Sequence, residues 1–218
     1  MAEGTGSWLL FEFHCKRGDL FSEKYLATPI GQILLGLFPG RIMAEQNHPV
    51  LFQPGKVGRP PQIDFVILNE GDKKWNVAVE TKWETYTPLS IVDMVWDLIR
   101  LELLVYHNHC PNTYFLISGF DKKVDILKRT HFYNISTTAT NLFTRIKGCM
   151  IYLDLHALSP RTKKAINKII ANYPGITIPK TMRFDFPHSL LTGTGNLAFN
   201  TFVWKVNSYS KGGRVTKL

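Results

Sequence analysis

The stretch from Gln62 to Trp83, QIDFVILNEGDKKWNVAVETKW, constrains this chain more than any other. Ile63, Phe65 and Ile67 alternate with Gln62, Asp64, Val66 and Leu68, and Val77 and Val79 continue the pattern after a polar loop, Glu70–Lys74, that holds a glycine. Period-two patterning of β-branched and aromatic residues around such a loop predicts a β-hairpin. A hairpin symmetric about Asp72 sets Asn69 opposite Trp75, Phe65 opposite Val79, Asp64 opposite Glu80 and Gln62 opposite Lys82. Opposed residues share a face, with Cβ atoms ~5 Å apart, and residues two apart on a strand share it too. One face then carries Ile63, Phe65, Ile67, Val77 and Val79. The other carries Asp64, Glu80 and Lys82 at one end, backed by Val66, Leu68 and Ala78. A one-residue slip would separate Asp64 from Glu80.

Two carboxylates brought together in apolar strands repel, and at least one would be driven toward protonation without a neutralising charge. A hard divalent cation such as Mg²⁺ resolves this, because it takes one or two carboxylates plus waters and phosphate oxygens. The carbonyl of Thr81 offers a third protein oxygen. Such an ion polarises a phosphate and lowers the pKa of a bound water, and Lys82 would position or deprotonate that water, or stabilise developing negative charge. The competing reading is an exposed Glu–Lys cross-strand pair of little energetic value. The apolar character of both strands favours the metal site.

Asp64 followed by Glu80-x-Lys82 on adjacent strands, with a long helix after them, resembles the PD-(D/E)XK nuclease superfamily. The resemblance spans about residues 20–120, and Ile63 stands where the family name has proline. It implies an α/β, restriction-endonuclease-like fold with an αβββαβ core and a central mixed sheet flanked by helices. Residues from about 121 to 218 would be a C-terminal α/β elaboration of the same domain. It implies Asp64 and Glu80 as metal ligands, Lys82 as the catalytic lysine, and a glutamate on the first helix, best matched by Glu23 and less well by Glu45. It implies a Mg²⁺-dependent nuclease, with Mn²⁺ as a substitute, acting on double-stranded DNA in restriction, defence, repair or junction resolution. The alternatives are a binding protein of the same fold without catalysis and an RNA-directed nuclease. Cutting both strands of a duplex would suit a homodimer, although no interface is visible in the sequence.

Composition bounds the reading. The 218 residues suffice for one large domain. No apolar run is long enough to span a membrane, and the N-terminus lacks the layout of a signal peptide. Cys15, Cys110 and Cys149 are widely spaced and read as buried thiols of a reducing, cytoplasmic compartment. Lys and Arg number 26 against 17 Asp and Glu, a net charge of +9 that suits a polyanion partner. The basic residues are spread out: Lys56 and Arg59 in the loop before the hairpin, Lys122, Lys123, Lys128 and Arg129, then Arg161, Lys163, Lys164 and Lys168.

Elsewhere, residues 8–13 fit a short strand or a helix start, and 20–37 has helical spacing that Pro29 should interrupt. A first strand lies within 41–52. Ser90 and Asp93 form a capping box for a helix running to about His107. Its stripe of Asp93, Asp97, Arg100 and His107 either is solvated or lines the cleft, with solvation favoured, and Glu84, which continues the Glu80, Lys82 alternation, is either a strand-end surface acid, the favoured reading, or a further residue of the site. Residues 113–118 read as a buried strand, 134–147 as a helix and 149–155 as a strand. Ser159–Asn172 reads as a basic amphipathic helix, 199–209 as a strand and the last residues as a flexible basic tail. His107, His109 and Cys110 lack the second ligand cluster that structural zinc requires, and neither a P-loop nor a Gly-x-Ser-x-Gly elbow is present.

Overall fold

The computed structural model describes residues 1–55, 58–84, 89–127, 150–185, 188–195, 198–208 and 213–218. In chain order the elements are α1 (Ala2–His14), α2 (Glu23–Leu37), β1 (Ile42–Asn47), β2 (Gln62–Leu68), β3 (Trp75–Glu84), α3 (Ile91–Tyr106), β4 (Asn112–Phe120) and α4 (Asp121–Leu127). There follow β5 (Ile151–Asp154), α5 (Pro160–Ile170), β6 (Ile178–Pro179), β7 (Thr181–Phe184), β8 (His188–Thr192), β9 (Phe199–Asn207) and β10 (Arg214–Val215). The main sheet runs β1-β2-β3-β4-β9-β7-β5, with β8 also paired to β9. It is mixed: β3 and β4 are parallel, joined through α3, and the other pairs are antiparallel. Glu23–Phe120 thus runs helix, three strands, helix, strand. β9 pairs with β4 from Phe120↔Phe199 to Thr113↔Val206, so the sheet continues through both parts of the chain.

Helices cover both faces. Leu9 of α1 and Leu26, Ile30 and Leu34 of α2 pack on Phe65, Ile67, Val79, Leu116 and Phe199. On the other face Val95, Leu98, Ile99 and Leu103 of α3 and Ile166 of α5 pack on Val66, Ala78, Phe115, Ile117 and Trp204. Each fully buried side chain of this size contributes roughly 1.5–3 kcal/mol. That magnitude explains why α2 runs through Pro29 without a break. A proline inside a helix costs ~3 kcal/mol, which burial of Leu26, Ile30 and Leu34 on one face outweighs. Residues 8–13 belong to helix α1 and not to a strand, because Leu9 and Phe13 at i and i+4 both reach the sheet, Phe13 meeting Phe199 and Phe120 edge-on.

The hairpin keeps the predicted register at its centre, Phe65↔Val79, Val66↔Ala78 and Ile67↔Val77, and loses it at both ends. Toward the turn it shifts by one residue, so Leu68 and not Asn69 faces Trp75. The turn is tight: Lys73 has φ 54°, Gly71 has φ 95°, and Asp72 Oδ1 accepts the Lys74 amide at 3.0 Å. At the other end the β2–β3 pairing stops at Phe65↔Val79, so neither Asp64↔Glu80 nor Gln62↔Lys82 is a ladder pair. Ile63 accordingly leaves the face of Phe65 and Ile67 and joins the core under α3.

Several other elements depart from expectation. Cys15 is exposed, whereas Cys110 is buried. Residues 213–218 are held, not free: β10 pairs with β6, Arg214 donates to both oxygens of Glu102 at 2.7 and 3.1 Å, and its guanidinium lies 3.6 Å from the centre of the Tyr106 ring. The expected helix at 134–147, together with Lys56, Lys128, Arg129 and Cys149, lies outside the described residues. No helix among the described residues is long and apolar enough to cross a membrane.

Candidate active site

Beyond Phe65↔Val79 the two hairpin strands follow different neighbours. β2 stays with β1 down to Asn47↔Gln62, and β3 stays with β4 up to Glu84↔Gly119. The sheet forks here, and an opened strand edge must find other hydrogen-bond partners. Asp64 and Arg100 supply them. The amide and hydroxyl of Thr81 both donate to Asp64 Oδ2 at 2.8 Å, and Arg100 donates to the carbonyl of Gln62. A strand residue's amide and carbonyl point to the same edge, so the Thr81 carbonyl also faces the fork. Among the described residues, Oδ1 of Asp64 accepts no hydrogen bond. Opposite Asp64 on β1, between the pairs Ala44↔Phe65 and Gln46↔Ile63, Glu45 has φ 51°. A non-glycine residue in the left-handed region costs on the order of 1–3 kcal/mol, and such distortion concentrates at functional sites.

An ion-pair chain lines the fork. Glu23, the first residue of α2 after the Ser22 N-cap, meets Lys82 Nζ at 3.0 Å. Lys82 meets Asp97 Oδ2 at 3.1 Å, Asp97 Oδ1 accepts from Arg100 at 2.8 Å, and Arg100 ends the chain on Glu80 Oε1. Glu80 is 2% exposed and Asp97 4% exposed, so this is no solvated pair. Burial alone would lower Lys82, but the carboxylates of Asp97 and Glu23 outweigh it and hold the ammonium above the usual lysine range. Burial is the main reason that the Asp97 carboxyl stands above the usual carboxylate range; Lys82 opposes the shift, while Asp64 and Glu23 add to it. Burial lowers Arg100 to about 10, against the pull of Asp64.

Four carboxylates (Glu23, Asp64, Glu80 and Asp97) stand against two cations (Lys82 and Arg100), a formal charge of −2 when all are ionised. Asp64, Glu80, Thr81, Lys82, Glu23 and Arg100 all line one open cleft of about 850 Å³, whose far wall carries Glu45 and Arg59. Arg59 is anchored there by Gln62 at 2.7 Å and Glu45 at 2.9 Å. The arrangement therefore joins Glu23, Asp64, Glu80, Thr81 and Lys82 in a single cleft. Among the described residues, however, no group of three or more His, Cys, Asp or Glu side chains is arranged to hold a metal ion. Glu80, engaged by Arg100, is the carboxylate whose availability differs most from expectation.

Asp97 and Arg100 correct the reading of the α3 polar stripe. Asp93 and His107 are exposed, but Arg100 turns into the cleft and Asp97 lies buried beside it, where Lys82 and Glu80 need partners. Their i, i+3 spacing on a helix otherwise buried from Met94 to Leu104 was the available signal, since a charged pair inside an apolar stretch must face another charge. Glu84 is likewise buried, 2% exposed, and accepts the Leu89 amide at 3.2 Å; burial raises its carboxyl to about 7. His48 was unmarked in the sequence. Buried, it donates from Nε2 to the Arg100 carbonyl at 2.9 Å and accepts the Val50 and Leu51 amides on Nδ1, and burial lowers it to about 4. It is a neutral strut between the loop after β1 and α3.

Comparison of the chain with protein-family models, with curated proteins and with solved structures finds no match in any of the three.

Proposed function

We propose that the protein is a Mg²⁺-dependent nuclease of the restriction-endonuclease-like kind, hydrolysing phosphodiester bonds in double-stranded DNA at the β2–β3 fork. The observation that carries this reading is the ion-paired cluster at the fork, where Asp64 and Glu80 stand beside a fixed ammonium in an open cleft. The carboxylates and the Thr81 carbonyl at the fork are oxygen donors, the set that a hard divalent cation prefers, and a 2+ ion would offset the formal charge of the four carboxylates and two cations. Asp64 through its open Oδ1, the Thr81 carbonyl and Glu80 would hold the ion. When bound, it would supply Lewis acidity toward the phosphate and toward a water molecule.

The chain's own residues divide the remaining work. Lys82 is held as a cation, so it serves by charge, steadying negative oxygen on the attacked phosphate or the attacking water. Glu23 and Asp97 are positioning residues that keep that ammonium charged and aimed. Arg100 pairs with the buried Glu80 and bridges β3 to β2 through the Gln62 carbonyl. Thr81 fixes Asp64 by two donors to one oxygen, leaving the other oxygen for a ligand. The order helix, three strands, helix, strand supports the same assignment.

Incubation with supercoiled plasmid and Mg²⁺ or Mn²⁺, with EDTA and Lys82→Ala controls, tests it. Metal-dependent nicking or linearisation that Asp64→Ala, Glu80→Ala and Lys82→Ala each abolish is expected. Retention of DNA without cleavage would replace it with a binding protein of the same fold, and cleavage confined to RNA would replace the substrate. Sedimentation on a cognate duplex reports whether two copies act together, and fractionation of the source cells tests the cytoplasmic expectation.

A further inference from the structure

The candidate cleft is the first of three depressions that adjoin one another through shared lining residues, a stepped furrow. Arg59 and Pro60 line the cleft and also a second depression beside it, formed by the loop after β1, whose other wall is Tyr173. Tyr173 in turn lines a third, open groove of about 800 Å³ between α5 and the C-terminal segment. Tyr173 is held in place by stacking on Trp96 of α3 (centroids 5.7 Å, planes 22° apart), and Gln53 donates to the Asn172 carbonyl at 3.1 Å. The three depressions therefore share walls and rest on one braced segment.

Charge is sorted along this furrow. The acids sit at the fork. Among the described residues, no Asp or Glu lines the second depression or the third groove. The third groove instead carries Lys163, Lys164, Lys168 and Lys217, of which Lys164, Lys168 and Lys217 are exposed. Lys164 and Lys168 stand one turn apart on α5, about 6 Å along the axis, and the opposite wall adds Lys217. α5 is apolar only on the side of Ile166 and Ile170, so the lysines are its outward face.

We infer that the furrow is a duplex-DNA track in which the fork engages one phosphate and the α5 groove, through Lys164, Lys168 and Lys217, holds the backbone of the same molecule beyond the cut. The inference rests on the nuclease reading and adds where the substrate runs. A stiff, regularly charged polymer suits a furrow with fixed walls and cations at intervals. Contacts of this kind give affinity and orientation without reading sequence. Each phosphate neutralised contributes ~0.9 to the slope of log K against log salt.

The test measures binding of the full chain to a 40-bp and a 12-bp duplex by fluorescence anisotropy in EDTA, across a salt series. A Lys164→Gln, Lys168→Gln, Lys217→Gln variant is compared with a charge-matched control, Lys16→Gln, Lys73→Gln, Lys74→Gln. Expected for the α5 variant are a loss of about tenfold or more on the long duplex, a fall in salt slope of about 2–3, and a smaller loss on the short duplex. An equal loss in the control, or none in the α5 variant, overturns the track. Preference of the same lysines for RNA of equal length overturns its assignment to DNA. Plasmid cleavage by the wild-type chain reads out separately. Cleavage with lysine-independent binding removes the track alone, and lysine-dependent binding without cleavage removes the nuclease reading alone.

Discussion

Oδ2 of Asp64 stands where a strand carbonyl would otherwise be, accepting both the amide and the hydroxyl of Thr81 at 2.8 Å. The carboxylate closes a gap in the sheet and in doing so is held still. Thr81→Val keeps the shape and the amide donor but removes the hydroxyl. A hydrogen bond to a charged group contributes about 1.5–3 kcal/mol, so urea unfolding should show a loss of about that size. If Asp64 orientation matters for cleavage, the same variant should also cut plasmid more slowly. Full stability in Thr81→Val would mean that the amide alone fixes Asp64.

Arg100 is predicted to be the most stability-critical charge in the cleft. Its side chain is 12% exposed and that of Glu80 only 2%, so truncation strands Glu80 and deprives Asp97 of one partner. Breaking a buried pair by removing one member costs about 3–5 kcal/mol. Arg100→Ala should lose that much in denaturant unfolding, and Arg100→Ala combined with Glu80→Gln should recover part of it. A double variant no more stable than the single one would show that the pair is not the source of the loss.

Lys82 separates two mechanisms. Its folded pKa lies above the usual value, so the stability from its ion pairs is complete below about pH 10.4 and fades only as pH rises through the higher folded value. A cationic role then predicts that Lys82→Arg retains measurable cleavage, whereas Lys82→Met does not. The cleavage rate should also show no limb assignable to lysine deprotonation between pH 7 and 9. Inactivity of Lys82→Arg and Lys82→Met alike, with such a limb in the wild type, would make the lysine a base.

Glu84 and His48 should give stability a pH dependence of opposite signs. Burial raises Glu84 to about 7, so its favourable contribution is full below its unfolded pKa near 4.5 and is lost as pH climbs to 7. Burial lowers His48 to about 4, so its contribution is full above about 6.5 and is lost as pH falls toward 4. Glu84→Gln should therefore gain stability relative to wild type as pH rises from 5 to 8, on the order of 1–3 kcal/mol in all. Melting curves of both proteins across that range check it, and a difference independent of pH would exclude Glu84 as the titrating group.

The hairpin, α3 with its Ser90 cap, β4, α5 and β9 were legible because each depends on local signals: alternation, a cap, a proline at a helix start. The central pair Phe65↔Val79 followed from turn symmetry. The fork did not, because it arises from which outer neighbour each strand keeps, a long-range choice that alternation cannot express. Asp97 and Arg100 were visible as a stripe, but their direction depends on how α3 rotates against the sheet. Glu84 read as a surface acid because strand position says nothing of the chain that later covers it. The ends of the chain misled for the same reason: α1 and residues 213–218 owe their order to partners far away in sequence, Phe199 and Phe120 for one, Glu102 and Tyr106 for the other.

Helix α3 is buried along most of its length, and buried aliphatic contacts have no direction. Slid by one turn, ~5.4 Å, such a rod would recover much of its apolar contact with the sheet. Its charges do not allow the move. Asp97 and Arg100 meet Lys82 and Glu80 on one side, while Glu102 meets Arg214 and Ser208 on another. Any translation or rotation would break both sets together. The ionic contacts thus act as a dowel, giving an otherwise slippery helix one seat on the sheet and transmitting that seat to both strands of the fork.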